Sequence, residues 1–271
     1  MGSMRYARRD QDVTTVGTWA VDVGTEVVDY EASYIGSDVI ARPAKIEETT
    51  GTWIGDFTAA SGGKQRVDAV VLPMHNLDAG LAVKIQGNNT DSWGTPTFDQ
   101  AITIPAYRGD GFPPGAWLDL TGLSGYTTSG FTYWRLHVTG TNSAALAVKL
   151  KLLSGLQTLD PNISWGEVQG EDRKMIEHRT DYGVSSVYDL GVTIRSITGD
   201  LDSTDAQVAL LRTLWQGTRG RAYPFVMIPD GDVNDAWFVR FMDTKLDVQL
   251  NMIDRNAIRL GFEEVSRGLV L

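Results

Sequence analysis

Ala145-Leu146-Ala147-Val148-Lys149-Leu150-Lys151-Leu152-Leu153 is the stretch that decides the fold class of this 271-residue chain. Extended backbone sends successive side chains to opposite faces, so Leu146, Val148, Leu150 and Leu152 share one face while Ala147, Lys149 and Lys151 share the other. This pattern predicts a strand with one face in a core and one in water. Upstream, similar apolar runs recur at Arg66 to Leu72, Leu81 to Gln86, Ala101 to Ile104 and Phe131 to Val138. Between them lie Ser61-Gly62-Gly63, Asp78-Ala79-Gly80, Gly87-Asn88-Asn89, Asp110-Gly111 and Thr139 to Ser143, the residue types that tolerate tight turns. Short strands at this spacing predict a jelly-roll-like β-sandwich over residues 42–154.

Residues 13–40 carry further short strands, with Val16, Trp19, Val21 and Val23 alternating and Val27-Val28-Asp29-Tyr30 following. They are too few for a domain. Residues 1–41 are therefore assigned as N-terminal strands that could complete the C-terminal part, which would make the sandwich an insertion.

After Gly155 the segment Thr158-Leu159-Asp160-Pro161-Asn162 marks a connection, because proline does not sit inside a central strand. Residues 155–271 read as a second, α+β part of antiparallel strands with one helix. Strands are expected at Val184 to Leu190 and Gly191 to Gly199, then a helix over 204–216. Thr204 and Gln207 have the spacing of a capping box, Leu210, Leu211, Leu214 and Trp215 form the apolar stripe, and Gly217 supplies the stop. Strands resume at Tyr223 to Ile228, Ala236 to Met242, Leu246 to Met252 and Ala257 to Val265. The whole chain is thus expected to be mainly β.

Composition bounds the function. The chain has 24 basic and 34 acidic residues, a net charge of −10, with no dense Lys/Arg cluster of the kind phosphate neutralisation requires, so nucleic acid is not an expected partner. Cysteine is absent, which removes disulfides and thiolate metal sites. No apolar run reaches membrane-spanning length, and the charged N-terminus lacks the apolar core of a secretory signal, so no membrane insertion is expected.

A search for chemistry is nearly empty. His75, His137 and His178 are the three histidines, and no Gly-x-Ser-x-Gly elbow, metal-spaced histidine pair or phosphate-binding glycine loop accompanies them. Asp230-Gly231-Asp232 with Asp235 could gather calcium but reads first as a turn. Glu171-Asp172 and Glu263-Glu264 are adjacent acids, and strand neighbours point apart, so neither forms a glycosidase pair. The expectation is no enzyme, no metal and no cofactor. Aromatics among turn residues, Trp93, Tyr107 and Trp117, are the candidate ligand-binding residues, since a flat ring can stack on a sugar.

Arg66 to Leu72, Asn76-Leu77, Val83 to Gly87, Tyr133-Trp134-Arg135-Leu136 and Ala147 to Leu150 together resemble a discoidin-type or related carbohydrate-binding sandwich. The second part, through Glu177-His178-Arg179-Thr180-Asp181-Tyr182-Gly183, Gly220-Arg221-Ala222-Tyr223-Pro224-Phe225 and Leu260-Gly261-Phe262-Glu263-Glu264-Val265, resembles the minor tail proteins of tailed bacteriophages, distal tail proteins among them. That resemblance implies a homo-oligomeric ring, hexameric, around the tail tube, in contact with tail-tip proteins and located in the virion after assembly in the host cytoplasm. Arg219, Arg221, Tyr223 and Phe225 would make the subunit contacts. In many such proteins the outward module follows the ring module, whereas here it precedes it. The alternative is a carbohydrate- or receptor-binding adhesin, with a host surface glycan as partner; a glycan hydrolase is a third class.

Overall fold

Alternating side chains in a strand leave two faces to cover, and the chain covers them by stacking sheets. The computed structural model describes residues 4–37, 43–106, 114–159, 165–179, 185–230, 234–243, 245–252 and 255–265. In chain order, β1 (Met4–Tyr6) is followed by β2 (Gly17–Val23), β3 (Ala44–Ile46), β4 (Thr50–Ala59), β5 (Ala69–His75), β6 (Ala82–Asn88), β7 (Phe98–Ile102), β8 (Ala116–Asp119), β9 (Tyr133–Thr141) and β10 (Leu146–Leu153). The second part adds β11 (Gln157–Leu159), β12 (Trp165–Arg179), β13 (Ser185–Ser203), α1 (Asp205–Gly217), β14 (Phe225–Ile228), β15 (Trp237–Phe241), β16 (Val248–Met252) and β17 (Arg255–Glu264).

These strands build three antiparallel sheets. A five-stranded sheet runs β2-β4-β9-β6-β7, a four-stranded sheet runs β3-β10-β5-β8, and an eight-stranded sheet runs β11-β1-β14-β15-β17-β13-β12 with β16 on β17. The mainly β class with a single α-helix among the described residues agrees with the sequence. That helix, α1, is too short to cross a membrane, and no described helix is long and apolar enough to do so.

The three sheets and the helix form successive layers. Between the five- and four-stranded sheets lie Phe57, Phe98, Phe131, Trp134, Leu136, Leu150 and Leu152, with Phe131 and Trp134 edge to face at 5.3 Å. Such an aromatic pair adds about 1 kcal/mol to its area burial. Val226, Ile228 and Phe238 of the eight-stranded sheet face Ala69, Val71 and Leu153 of the four-stranded sheet. Their strand neighbours Phe225, Met227, Trp237 and Val239 point the other way, toward Val208, Leu211 and Leu214 of α1. Period-2 alternation in β14 and β15 thus joins both halves through one sheet.

The described N-terminal strands join different sheets. β1 pairs with β11, Met4 opposite Leu159, and with β14, Arg5 opposite Ile228. β2 belongs to the sandwich. The sandwich is therefore carried between two neighbouring strands of the other sheet. Ala236 N–H donates to Gly115 O at 2.8 Å, and Trp117 N–H donates to Asn234 Oδ1 at 2.8 Å, so main chain as well as apolar side chains joins the layers.

β10 corrects the expectation of a wet face. All eight of its residues are buried, and Lys149 and Lys151 are only 3% and 2% exposed. Segments before β2 and around Ala32–Tyr34 cross over them. Lys149 Nζ donates to Tyr34 O, Ser37 O and Ser37 Oγ, and Lys151 Nζ to Gly36 O and Asp12 Oδ2. A buried ammonium is stable only when its donors are so occupied.

Other strand expectations shift. β4 and β8 carry no clear signal, because Gly51, Gly55 and Asp56 interrupt the one and Pro113-Pro114 precedes the other. The two strands expected at 184–190 and 191–199 are one strand, β13, whose partner β12 was not foreseen. Val27 to Tyr30 forms no strand. The helix starts at Thr204 as expected, but its side chain makes no capping bond, and Gln207 Oε1 is buried without a hydrogen-bond partner. Asp205 instead accepts from Asn256 Nδ2 at 2.7 Å. The stop is not Gly217. Thr218 is the C-cap, and Arg219 (φ 50°) and Gly220 (φ 64°) turn the chain, with Gly220 N–H donating to Trp215 O.

Candidate binding surface

The outer face of the five-stranded sheet is the sandwich face turned away from every other layer. Thr18, Ala20 and Asp22 on β2 are exposed there, and Asp56, Thr58, Lys84, Tyr133 and His137 are half-buried. Strand register fixes one row across it: Ala20 opposite Asp56, Asp56 opposite Arg135, Arg135 opposite Gln86, and Gln86 opposite Asp99.

Arg135 is the centre of that row. Its Nε and Nη2 donate to the two oxygens of Asp56 at 2.6 and 2.7 Å, and Nη2 also donates to Asp22 at 2.9 Å. The planar guanidinium suits this two-pronged pairing. Trp93 covers it from above, the Arg135 guanidinium carbon 4.2 Å from the indole centroid. With that lid the Arg135 side chain is 8% exposed, although it belongs to the solvent face. Burial raises the Asp56 carboxyl, opposed by its bonds to Arg135, while Asp22 and Asp91 add to the rise.

The lid is held from its own loop. Asn88 Nδ2 donates to Ser92 O at 2.6 Å, Asn88 Oδ1 accepts from Thr97 Oγ1 at 3.0 Å, and Trp93 Nε1 donates to Asp91 Oδ1 at 2.9 Å. Trp93 is thus fixed on one face by a cation, at its edge by a carboxylate, and remains half-buried. Such an arrangement can stack a flat apolar ring face against a ligand while carboxylates accept hydrogen bonds around it.

The three aromatics named from sequence do not converge. Trp117 is not at a loop tip: it lies on β8 opposite Val71, packs into the junction between sandwich and eight-stranded sheet, and has Arg5 5.6 Å from its ring. Tyr107 lies outside the described residues. Sequence reading missed Asp22, Asp56 and Arg135 as companions of Trp93; only the Trp134-Arg135 pair gave any signal, and its partners lie 79 and 113 residues away.

Of the residues expected at subunit contacts, Phe225 is 4% exposed and belongs to the chain's own core, 5.4 Å from Phe241 and 5.8 Å from Phe262. Arg221 pairs within the chain, with Glu263 at 3.3 Å. Tyr223 is half-buried, with the Arg9 guanidinium 3.9 Å and that of Arg219 5.5 Å from its ring; Arg219 is exposed.

The groups considered for chemistry have structural partners. His75 is buried, its Nδ1 accepts from Leu77 N–H at 3.2 Å and its Nε2 lies 3.1 Å from Pro114 O, a neutral tautomer with both nitrogens used. Burial pushes its pKa down to about 4. His137 is also lowered, by burial first and then by Lys84 and Arg135. Glu264 and Asp235 both pair with Arg195, at 2.8 and 2.7 Å, inside the second part; burial pushes Glu264 up to about 7 against the pull of Arg195. Among the described residues no three metal-ligating side chains gather, and Gly231 and Asp232 of the calcium candidate lie outside those residues.

No family model and no curated protein matches the chain. Among solved structures it is similar to chitosan-binding module 1 from a chitosanase/glucanase of Paenibacillus sp. IK-5. A selenomethionine-labelled mutant of that module is 19% identical, with 53% of this chain and 98% of that chain covered and a TM-score of 0.37. A second structure of the module gives 20% identity, 52% and 97% coverage and a TM-score of 0.36.

Proposed function

We propose that this chain is a non-catalytic recognition protein whose sandwich offers Trp93 to a saccharide, with the eight-stranded sheet as its mount. The observation that carries the reading is the locking of Trp93 over the Arg135–Asp56–Asp22 cluster on a face that, among the described residues, no other layer covers. A tryptophan left mobile would lose side-chain entropy on binding, whereas this one is already ordered. Carboxylate acceptors beside an ordered indole suit hydroxyl-rich ligands.

Glycan-array screening of the whole chain, followed by calorimetry on hits, tests this. Trp93→Ala should abolish binding while circular dichroism stays unchanged. Retention of full affinity by that variant would overturn the reading.

A second reading is a ring component of a bacteriophage tail, and one observation favours it. β13 pairs with β17 only from Ser196 to Ser203, so among the described residues the stretch from Ser185 to Arg195 has β12 as its only hydrogen-bonded strand partner. A two-stranded ribbon is marginal by itself and has open edges, which a neighbouring subunit could cover. In that reading the chain sits in the virion, the ribbon meets other copies, and the sandwich points outward. Negative-stain imaging and light scattering decide it: rings are expected, and a strict monomer that never joins tail particles would sink it.

A further inference from the structure

We infer that the Trp93 surface selects saccharides carrying protonated amino groups over neutral ones and rejects anionic ones. This rests on the recognition reading above and names the ligand class of the same site.

The ground is where charge sits around the indole. Asp22, Asp56, Asp91 and Asp99 belong to this face or its rim, against the two cations Arg135 and Lys84. Two negative charges remain in excess. Accessibility sharpens the imbalance: the Asp22 side chain is 52% exposed and Asp91 is exposed, whereas Arg135 lies under the indole at 8%. Lys84 is tied to Asp99 at 2.9 Å. His137, flanked by Lys84 and Arg135, adds no positive charge near neutral pH, since its pKa is held below the ordinary value.

An incoming carboxylate or sulfate would therefore meet exposed carboxylates first, and the guanidinium that could pair with it is covered and already shared between two aspartates. An ammonium group would instead find two exposed carboxylates at the arginine–indole stack, Asp22 bonded to the guanidinium and Asp91 to the indole edge. The aromatic face itself attracts a cation through its quadrupole. The chain's net charge of −10 adds long-range attraction of the same sign.

The test uses the whole chain with three probes of equal length: a glucosamine oligomer, its N-acetylated counterpart and a uronic acid oligomer, at pH 6 and low salt. The glucosamine oligomer should bind about five-fold more tightly than the acetylated one, as expected for exposed charge pairs. That advantage should shrink at 0.5 M salt, where the Debye length falls to about 4 Å, and the uronate should not bind. In D22N/D91N, which keeps each side-chain carbonyl acceptor, the ratio between the first two should fall toward one. Equal binding of all three probes, a preference for the uronate, or a glucosamine preference that survives in D22N/D91N would overturn this inference and leave the platform in place. Binding of none of them by the unaltered chain would instead remove the recognition reading for these ligands and the inference with it.

Discussion

Lowering the pH should destabilise the sandwich through His75 before most carboxylates titrate. The ring is 4% exposed and both its nitrogens are committed, so the folded state holds it neutral with a pKa of about 4, against 6.5 in the unfolded chain. Below 6.5 the unfolded chain binds a proton that the folded chain refuses. The stabilisation is therefore complete above pH 6.5 and is lost as pH falls toward 4. Linkage at 1.36 kcal/mol per decade gives a loss of about 2 kcal/mol by pH 5 and about 3 kcal/mol by pH 4. Urea unfolding at pH 7.5, 6 and 5 measures it, with His75→Gln as reference, since glutamine can also accept and donate but does not titrate. The variant should be weaker at pH 7.5 by about 1 to 2 kcal/mol for imperfect hydrogen bonds. Between pH 7.5 and 5 it should lose about 2 kcal/mol less than the parent chain. Parallel curves for the two proteins would refute the assignment of His75 as a buried neutral histidine.

Arg195→Met should cost about 3 to 5 kcal/mol at pH 8 by leaving Glu264 and Asp235 buried without their cation. The deficit should be smaller at pH 5, where Glu264 can take a proton, and denaturant midpoints at the two pH values check the difference. Gly115→Val should wedge the sandwich from its mount, because a Cβ there would collide with the Ala236 carbonyl; faster hydrogen exchange in β8 and β15, with protection kept in the Trp134 core, is the expected readout. Lys151→Met removes the donor to Asp12 and Gly36 O and should destabilise by about 2 to 3 kcal/mol in thermal unfolding. No loss would mean that this face of β10 is wet after all. Trp93→Ala should cost about 1 to 2 kcal/mol, because the indole covers a guanidinium that is 8% exposed, and with circular dichroism unchanged any loss of ligand binding belongs to the site.

Much of the candidate site was hidden in the sequence for a definable reason. Trp93 could be singled out because an aromatic among turn residues stands out locally. Asp22, Asp56 and Arg135 sit in strands that look ordinary, and only strand register brings them into one cluster. Trp117 shows the reverse error: the same local signal, an aromatic after Pro113-Pro114-Gly115, marks a strand residue wedged between layers. Local chemistry identifies an aromatic, and packing decides whether it meets solvent.

Period-2 alternation and turn residues for the strands, and an apolar stripe at helical spacing for the helix beginning at Thr204, were enough to determine the mainly β class with one helix, because those signals arise between near neighbours. They could not determine which faces are wet. Lys149 and Lys151 have the spacing of solvent-facing residues, yet carbonyls of Tyr34, Gly36 and Ser37, more than 110 residues away, meet their ammonium groups. A strand can bury either face if something covers it, and what covers β10, β5 and Trp117 comes from segments remote in the chain. Only the stacking of three sheets decided that, since the free energy of covering a face belongs to both partners and is written in neither alone.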